Sequence, residues 1–555
     1  MKPPSRPYDP HHEAGVSGTI GRWWRQGRQH LARVPLSMAR VPDAPSQTLR
    51  DPWPGDAARG AAILRGSLEI AGGKIGLVPE GFLDPPTVAG ARGGGGGLPL
   101  LRAAAHGFAW LRDLRALGTD AARVRARDLV DSWLDAPPDA QVALAEVTGS
   151  RLSAWLSHYD FFASTADDAF RQALMARLVA DARALAAALP TEEMDSRAIA
   201  ALKGVVAAGA ALPDHASLLT RAVKVLGQEL DRQILPDGSH AERSPARAVA
   251  VLADLIEIRL HLAAARTEPP AALTQAIDRL AAAVRVLRHG DGGLAIVNAS
   301  REEGSRPLEL VLAQAGRATR AASSLPDGGF YRLAAGRSLV IVDGGAPPPP
   351  RLDRLAHAGT LSFEFSVGRE RMIVNCGTAL AATQEWRDGM RTTAAHSTLI
   401  VADTSSSEIR EAGLGRRPLH VDARHEESMG AHWLHLSHDG WKKLFGATHI
   451  RRLYLAESGE DLRGEDTVEA ENPQPFVVRF HLHPSVDASL QQDGEAVLLR
   501  LPSGTGWRLR ADGARLSLES SVYLGGREPR RTEQVVLTGY ADGPQQVRWA
   551  ISKVT

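Results

Sequence analysis

The feature that most limits what this chain can fold into is a change of hydrophobic period near residue 325. Before it, Ala and Leu recur at i, i+3, i+4 and i+7 through DAFRQALMARLVADARALAAAL (168–189), HASLLTRAVKVLGQELDRQI (215–234) and PARAVAVLADLIEIRLHLAAA (245–265). That is the period of an amphipathic helix, held for longer than a strand lasts. Proline and glycine punctuate the joins, as in ALPDHAS and LPDGS. After Leu325 the runs become short and β-branched or aromatic: RSLVIVDGG, LSFEFSVGRERMIVNCG, HSTLIVAD, THIRRLYLAE, PFVVRFHLHP and AVLLRLPSG. Strands of that length, ended by Gly, Asp, Asn or Pro, indicate an antiparallel sandwich or barrel. The period does not by itself choose among a helical bundle, a solenoid and an α/α toroid for the first part. The expectation is a multidomain α+β chain, with its boundary around Ala315–Pro326.

Composition excludes several classes. The 65 basic and 64 acidic residues leave a net charge of +1, so no global field recruits nucleic acid or anionic lipid. Cys376 stands alone, which rules out a disulfide framework within the chain. No stretch approaches a membrane-spanning run, and no apolar segment follows the early charges as a secretory leader requires. RWWRQGRQHLAR (22–33) can lie on a membrane surface or dock its tryptophans on the body. Gly93–Gly97 lacks the ending of a phosphate loop and reads as a flexible loop.

Four clusters set polar residues beside apolar runs. Asp237, His240, Glu242 and Arg243 crowd the turn before Ser244-Pro245, where side chains and helix N–H groups could hold an anion or simply cap the helix. His357 lies in a small-residue loop ahead of a strand. Asn375 stands at a strand end. Arg391 and His396 belong to a run leading into TLIVAD. For each histidine a satisfied structural role stands beside the functional one. His481 and His483 alternate on one strand face as a structural pair, and His432, His435 and His438 are expected to face solvent. Cys376 is expected to pack.

HAGTLSFEFSVGRERMIVNCGT (357–378), with AHST at 395–398, resembles a block of the heparinase II/III family in order and spacing. PDGSHAERSPA (236–246) is similar to that family's Asp-Gly-Gly-x-x-Glu-x-Ser-Pro turn, and ALKGVVAAGAALP (201–213) to the helix before it. The resemblance implies an N-terminal α/α toroid, as an incomplete barrel over residues 56–322, and a C-terminal β-sandwich over 323–555, after an extension of residues 1–55. It implies β-elimination on a uronic-acid-containing, glycosaminoglycan-like polysaccharide in the cell envelope or periplasm; the missing leader makes the cytoplasm the alternative. In such a reaction the substrate carboxylate is neutralised, a base takes the neighbouring proton, and an acid protonates the leaving oxygen.

The family's Asn-His pair falls near Ser196-Arg197, its tyrosine at Arg247, the first histidine of its His-x-His block at Leu355, and its acidic zinc ligand at Asn375. His357 and His396 keep their types. The resulting expectations are His240, His357 and Tyr331 for proton transfer, Arg197, Glu242, Arg243, Arg247 and Arg391 for the substrate, and His357, Asn375 and His396 for a structural zinc. Arginine is no base at neutral pH but is a good anion clamp. The alternatives are therefore a catalytically altered glycan-binding or envelope-polysaccharide assembly protein on the same fold, and a hydrolase using two of Glu242, Asp237 and Asp291.

Overall fold

The computed structural model describes residues 41–554 apart from 71–72, 79–81, 84–97, 137–140, 303, 317–321, 381, 492–493 and 527. The segment 22–33 and the glycine run 93–97 lie outside the described residues. Among the described residues no helix is long and apolar enough to cross a membrane.

Among the described residues from Ala57 to Ala315 the regular structure is helical apart from a small antiparallel sheet of Ser67–Ile70, Gly73–Val78 and Phe82–Leu83. Side-chain caps start the helices where the sequence supplies them: Asp167 for Asp168–Ala188, Asp195 for Ser196–Ala211 and Ser244 for Pro245–Ala264. Helix Ser196–Ala211 is buried nearly all round, which marks it as the centre of the layer. It meets helix Ala145–Ser157 at two glycines: a Cβ on Gly204 would lie 2.3 Å from the Gly149 Cα. The glycine in ALKGVVAAGAALP is thus the contact that lets two backbones touch. Lys203, buried on the same helix, is held by Asp254 at 2.6 Å and Glu257 at 3.0 Å. Glu257 also accepts the Trp53 indole N–H at 2.5 Å, tying the segment before helix Ala57–Leu64 to the core.

Among the described residues the second part is a 15-stranded network of antiparallel strands beside a separate two-stranded sheet of Ile409–Arg410 and Gly413–Leu414. Its spine is a pair of long strands, Asp461–Leu482 and Arg530–Lys553, against which the shorter strands stack. Strand Ser338–Asp343 explains its own apolar run. Val340 and Val342 enter the core of the sheet domain, while Leu339 and Ile341 join Ala283, Val286 and Leu287 in a seam against the helical domain. Both faces are buried, so the usual alternation disappears. Strand Ala447–Leu455 keeps that alternation.

Strand Ala431–Trp441 corrects one expectation. His435 is exposed, but His432 and His438 are buried, because residues 432, 434, 436 and 438 share the inward face. The toroid-plus-sandwich architecture expected from the resemblance is what the chain adopts.

The sheet domain sits on segment 288–302. His289 Nε2 reaches Glu364 at 2.9 Å, and Glu364 also accepts the backbone N–H groups of Ile296 and Asn375. Arg371 pairs with Asp291 through two bonds of 2.7 and 3.2 Å. Tyr523 donates to Glu302 at 2.6 Å, and His483 lies 3.4 Å from the same carboxylate, so this structural histidine contacts the helical domain.

Candidate functional site

The ends of several helices and the loop 351–361 meet at the junction of the two domains. Asp195, the cap of helix Ser196–Ala211, accepts the Arg197 Nε–H at 2.9 Å and lies 3.6 Å from Arg354 Nε. Glu242, from the turn before the next long helix but one, accepts the Ser196 N–H at 2.8 Å. Arg247 lies one turn into helix Pro245–Ala264, half-exposed. Its guanidinium has no hydrogen bond or ion pair among the described residues. It lies close enough to Arg354 to help lower that side chain's proton affinity, after burial and Arg197. Arg354 Nε and Ser196 Oγ are buried without hydrogen-bond partners among the described residues. Arg197, Arg247 and Arg354 thus form a basic trio, with Asp195 and Glu242 buried beside it and Glu193 paired to Arg197.

His240 lies under this trio, and its hydrogen bonds fix its state. The Gln233 amide nitrogen donates to Asp195 O at 3.0 Å and Glu229 Oε2 at 2.7 Å, so Gln233 Oε1 must accept. His240 Nε2, 3.1 Å from that oxygen, therefore carries the proton, and Nδ1 accepts the Glu242 N–H at 3.3 Å. Burial pushes its pKa down. The ring is neutral, both nitrogens are engaged, and no lone pair is left for a substrate proton. The expectation that His240 transfers protons is corrected on that ground. Glu242 likewise orients the 196–211 helix start and does not present itself to a ligand.

Other expected site residues serve the fold. Arg243 is buried; it donates to Gly328 O at 2.6 Å and Ala346 O at 2.7 Å, pairs with Asp343, and lies 4.8 Å over the Phe330 ring. It clasps the helical domain to the sheet domain. Arg391 donates to the carbonyls of Ala356, Arg410 and Gly413, closing its loop from within. Tyr331 packs in the sheet core with its ring 6.2 Å from that of His425, and burial pushes its hydroxyl pKa up. Asp237 is spent on Ser239 and Gly328, and Asp291 on Arg371. The carboxylate pair of a hydrolase is therefore not assembled from these residues. Cys376 packs, with burial pushing its thiol up to about 12.

His357 and His396 do come together, but as a proton-ordered string, while Asn375 bonds to backbone groups of Ile296 and Ser397. The Ala299 N–H points at His357 Nε2 at 3.0 Å, so that ring carries its proton on Nδ1. Nδ1 then donates to His396 Nε2 at 3.1 Å, and His396 Nδ1 donates to Thr392 O at 2.7 Å. Asn375 uses both ends of its amide, accepting the Ser397 N–H at 2.9 Å and donating to Ile296 O at 3.0 Å. A zinc ligand needs a bare nitrogen lone pair, and the one facing His396 is protonated. These residues do not fit a zinc ion. The same string leaves His357 no role in proton transfer.

The sequence did not single out Arg354, three residues before His357. The signal was available: three arginines, at 197, 247 and 354, flank positions where the family places its acid, base and carboxylate ligand.

Comparison with known proteins agrees with this fold. Residues 317–550 match the model for the heparinase II/III-like C-terminal domain. FtsZ-localized protein C of Caulobacter vibrioides is 33% identical, over 97% of this chain and 95% of its own length. A crystal structure of heparinase III superposes with a TM-score of 0.74 at 13% identity, covering 98% of this chain and 92% of that one. A mutant of the heparan sulfate lyase HepC from Pedobacter heparinus gives 0.62 at 13% identity, over 98% and 91%. On fold, domain model and full-length similarity, the chain belongs to the heparinase II/III family.

Proposed function

We propose that this protein binds an acidic glycan at the domain junction without eliminating it, and that it does so as a division-site protein localised with FtsZ. One observation carries the first part: arginines 197, 247 and 354 occupy the region where the family resemblance places base, acid and carboxylate ligand. Elimination needs a group that accepts a carbon-bound proton. Arginine cannot do so at neutral pH, and His240, the imidazole lying beneath the trio, has both nitrogens engaged. Three guanidiniums can still hold the carboxylates of a uronate, with Arg197 oriented by Asp195 and Arg247 left open. The second part rests on the name and full-length similarity of FtsZ-localized protein C.

The two parts are tested apart. A panel of uronate-containing polysaccharides is offered to the full chain, with binding followed by affinity electrophoresis and elimination by the ultraviolet absorbance of the unsaturated uronate. Binding without an absorbance rise is expected, and Arg247→Glu or Arg354→Glu should weaken it about tenfold, equal to about 1.4 kcal/mol. Steady growth of that absorbance would restore the lyase reading. A fluorescent fusion should coincide with FtsZ at midcell; a diffuse signal removes the division-site assignment.

A further inference from the structure

A second basic site lies at the other end of segment 288–302. We propose that the cavity lined by Arg285, Arg288, Arg332 and Arg369 binds the phosphoryl group of a small soluble ligand. The cavity measures about 330 Å³, and His289, Gly290, Asp291, Gly292, Ser305 and Glu309 complete its wall.

The four arginines come from four separate places in the fold. Arg285 closes helix Ala271–Val286, Arg288 opens the turn after it, Arg332 lies on strand Phe330–Ala335, and Arg369 on the turn between strands Phe363–Val367 and Glu370–Val374. Their convergence is a product of the domain seam, not of a basic stretch of sequence.

Their charge is poorly compensated. Asp291 is committed to Arg371, which lies outside the cavity wall, through bonds of 2.7 and 3.2 Å. Glu309 meets Arg288 at 3.1 Å but is 65% exposed, so this pair is weak. Arg285 and Arg332 find only backbone oxygens. Arg285 donates to Leu312 O and Gly316 O, and Arg332 to Val286 O and Arg288 O. Those bonds fix the planes of the two guanidiniums and supply no counter-charge. Burial lowers the proton affinity of both, and Arg288 adds to the effect on Arg285. His289 contributes no charge, because its ring nitrogens are held by Ser366 and Glu364 and burial lowers its pKa.

The helix Ser305–Ala315 adds to this field. Its first residue lines the cavity, and no side chain caps its N-terminus. Guanidinium forks converging in a cavity of this size match a compact oxyanion with several acceptor oxygens. A phosphate monoester or diphosphate has that shape and charge. This site is independent of the one at the arginine trio.

Isothermal titration of the full chain at low salt, with inorganic phosphate and pyrophosphate as probes and acetate as a single-charge control, tests the assignment. Saturable binding of pyrophosphate is expected, tighter than phosphate and much tighter than acetate. Arg369→Glu, on an exposed turn, and Arg285→Gln should each weaken it tenfold or more. Arg247→Glu at the junction should leave it unchanged. The thermal midpoint of Arg369→Glu without ligand should match the parent, separating lost binding from lost folding. The proposal fails if pyrophosphate does not saturate, or if Arg247→Glu removes binding while Arg369→Glu retains it. Co-sedimentation with vesicles of acidic phospholipid that free pyrophosphate cannot compete away would overturn the soluble-ligand assignment.

Discussion

Replacing Arg243 should separate a residue that holds the domains together from one that holds a ligand. Its guanidinium satisfies Gly328 O and Ala346 O and is the ion-pair partner of Asp343, which is only 4% exposed. Arg243→Met keeps much of the stem and removes the charge. Asp343 is then a buried carboxylate without an ion-pair partner, keeping only the Gly345 N–H, a loss of about 3–5 kcal/mol. The backbone at 243 has φ +53°, which methionine inherits, so its strain cancels in the comparison. Burial already pushes the Asp343 pKa up against the pull of Arg243. Without the arginine, the folded pKa rises further above its unfolded value, and the folded variant takes up a proton more readily than the unfolded chain. The deficit of the variant relative to the parent should therefore shrink as pH falls toward the range where Asp343 protonates. Urea unfolding followed by far-ultraviolet circular dichroism at several pH values reads this directly. The double variant Arg243→Met/Asp343→Leu should recover most of the loss, because it buries neither charge. If Arg243→Met unfolds like the parent and yet loses glycan binding, the clasp assignment is wrong and Arg243 is a ligand residue.

Two further outcomes follow from buried histidines. Burial holds His261 and His396 down to about 4 and His481 to about 3, so the unfolded chain, titrating near 6.5, takes up protons first. Stability should fall as pH drops below about 6.5 and go on falling toward those folded values. At pH 5 each of the three accounts for a loss of about 2 kcal/mol, about 6 kcal/mol together, measurable as a falling urea midpoint; a flat midpoint from pH 7 to 5 would contradict their neutral burial. Asn375→Asp should cost about 1–3 kcal/mol, because a carboxylate oxygen would replace the amide that donates to Ile296 O. The parent, purified without chelator, should carry substoichiometric zinc by elemental analysis; one zinc per chain would refute the proton-ordered string.

How much was legible in the sequence depends on how far away a residue's partners lie. The helices at 168–188, 217–233 and 245–264 follow from apolar spacing, because the period that buries a face is written within one element. The sheet domain is legible for the same reason. Strand 338–343 shows only a continuous apolar run, and that it faces two cores is a fact about residues 283–287. Polar roles are harder to read, since satisfaction is non-local. Arg243 and Arg247 are four positions apart and identical in type. One is consumed by carbonyls 85 and 103 residues away, and the other has no partner among the described residues. No spacing rule distinguishes them. The histidines misled for the opposite reason: His357 and His396 resemble ligands because they converge, yet the backbone N–H of Ala299 sets their protons against a metal. Guanidiniums that remain unspent after every local acceptor is counted are the better guide to a site here. Arg247 at the junction and Arg369 at the seam meet that criterion and each lies among other arginines where the domains meet.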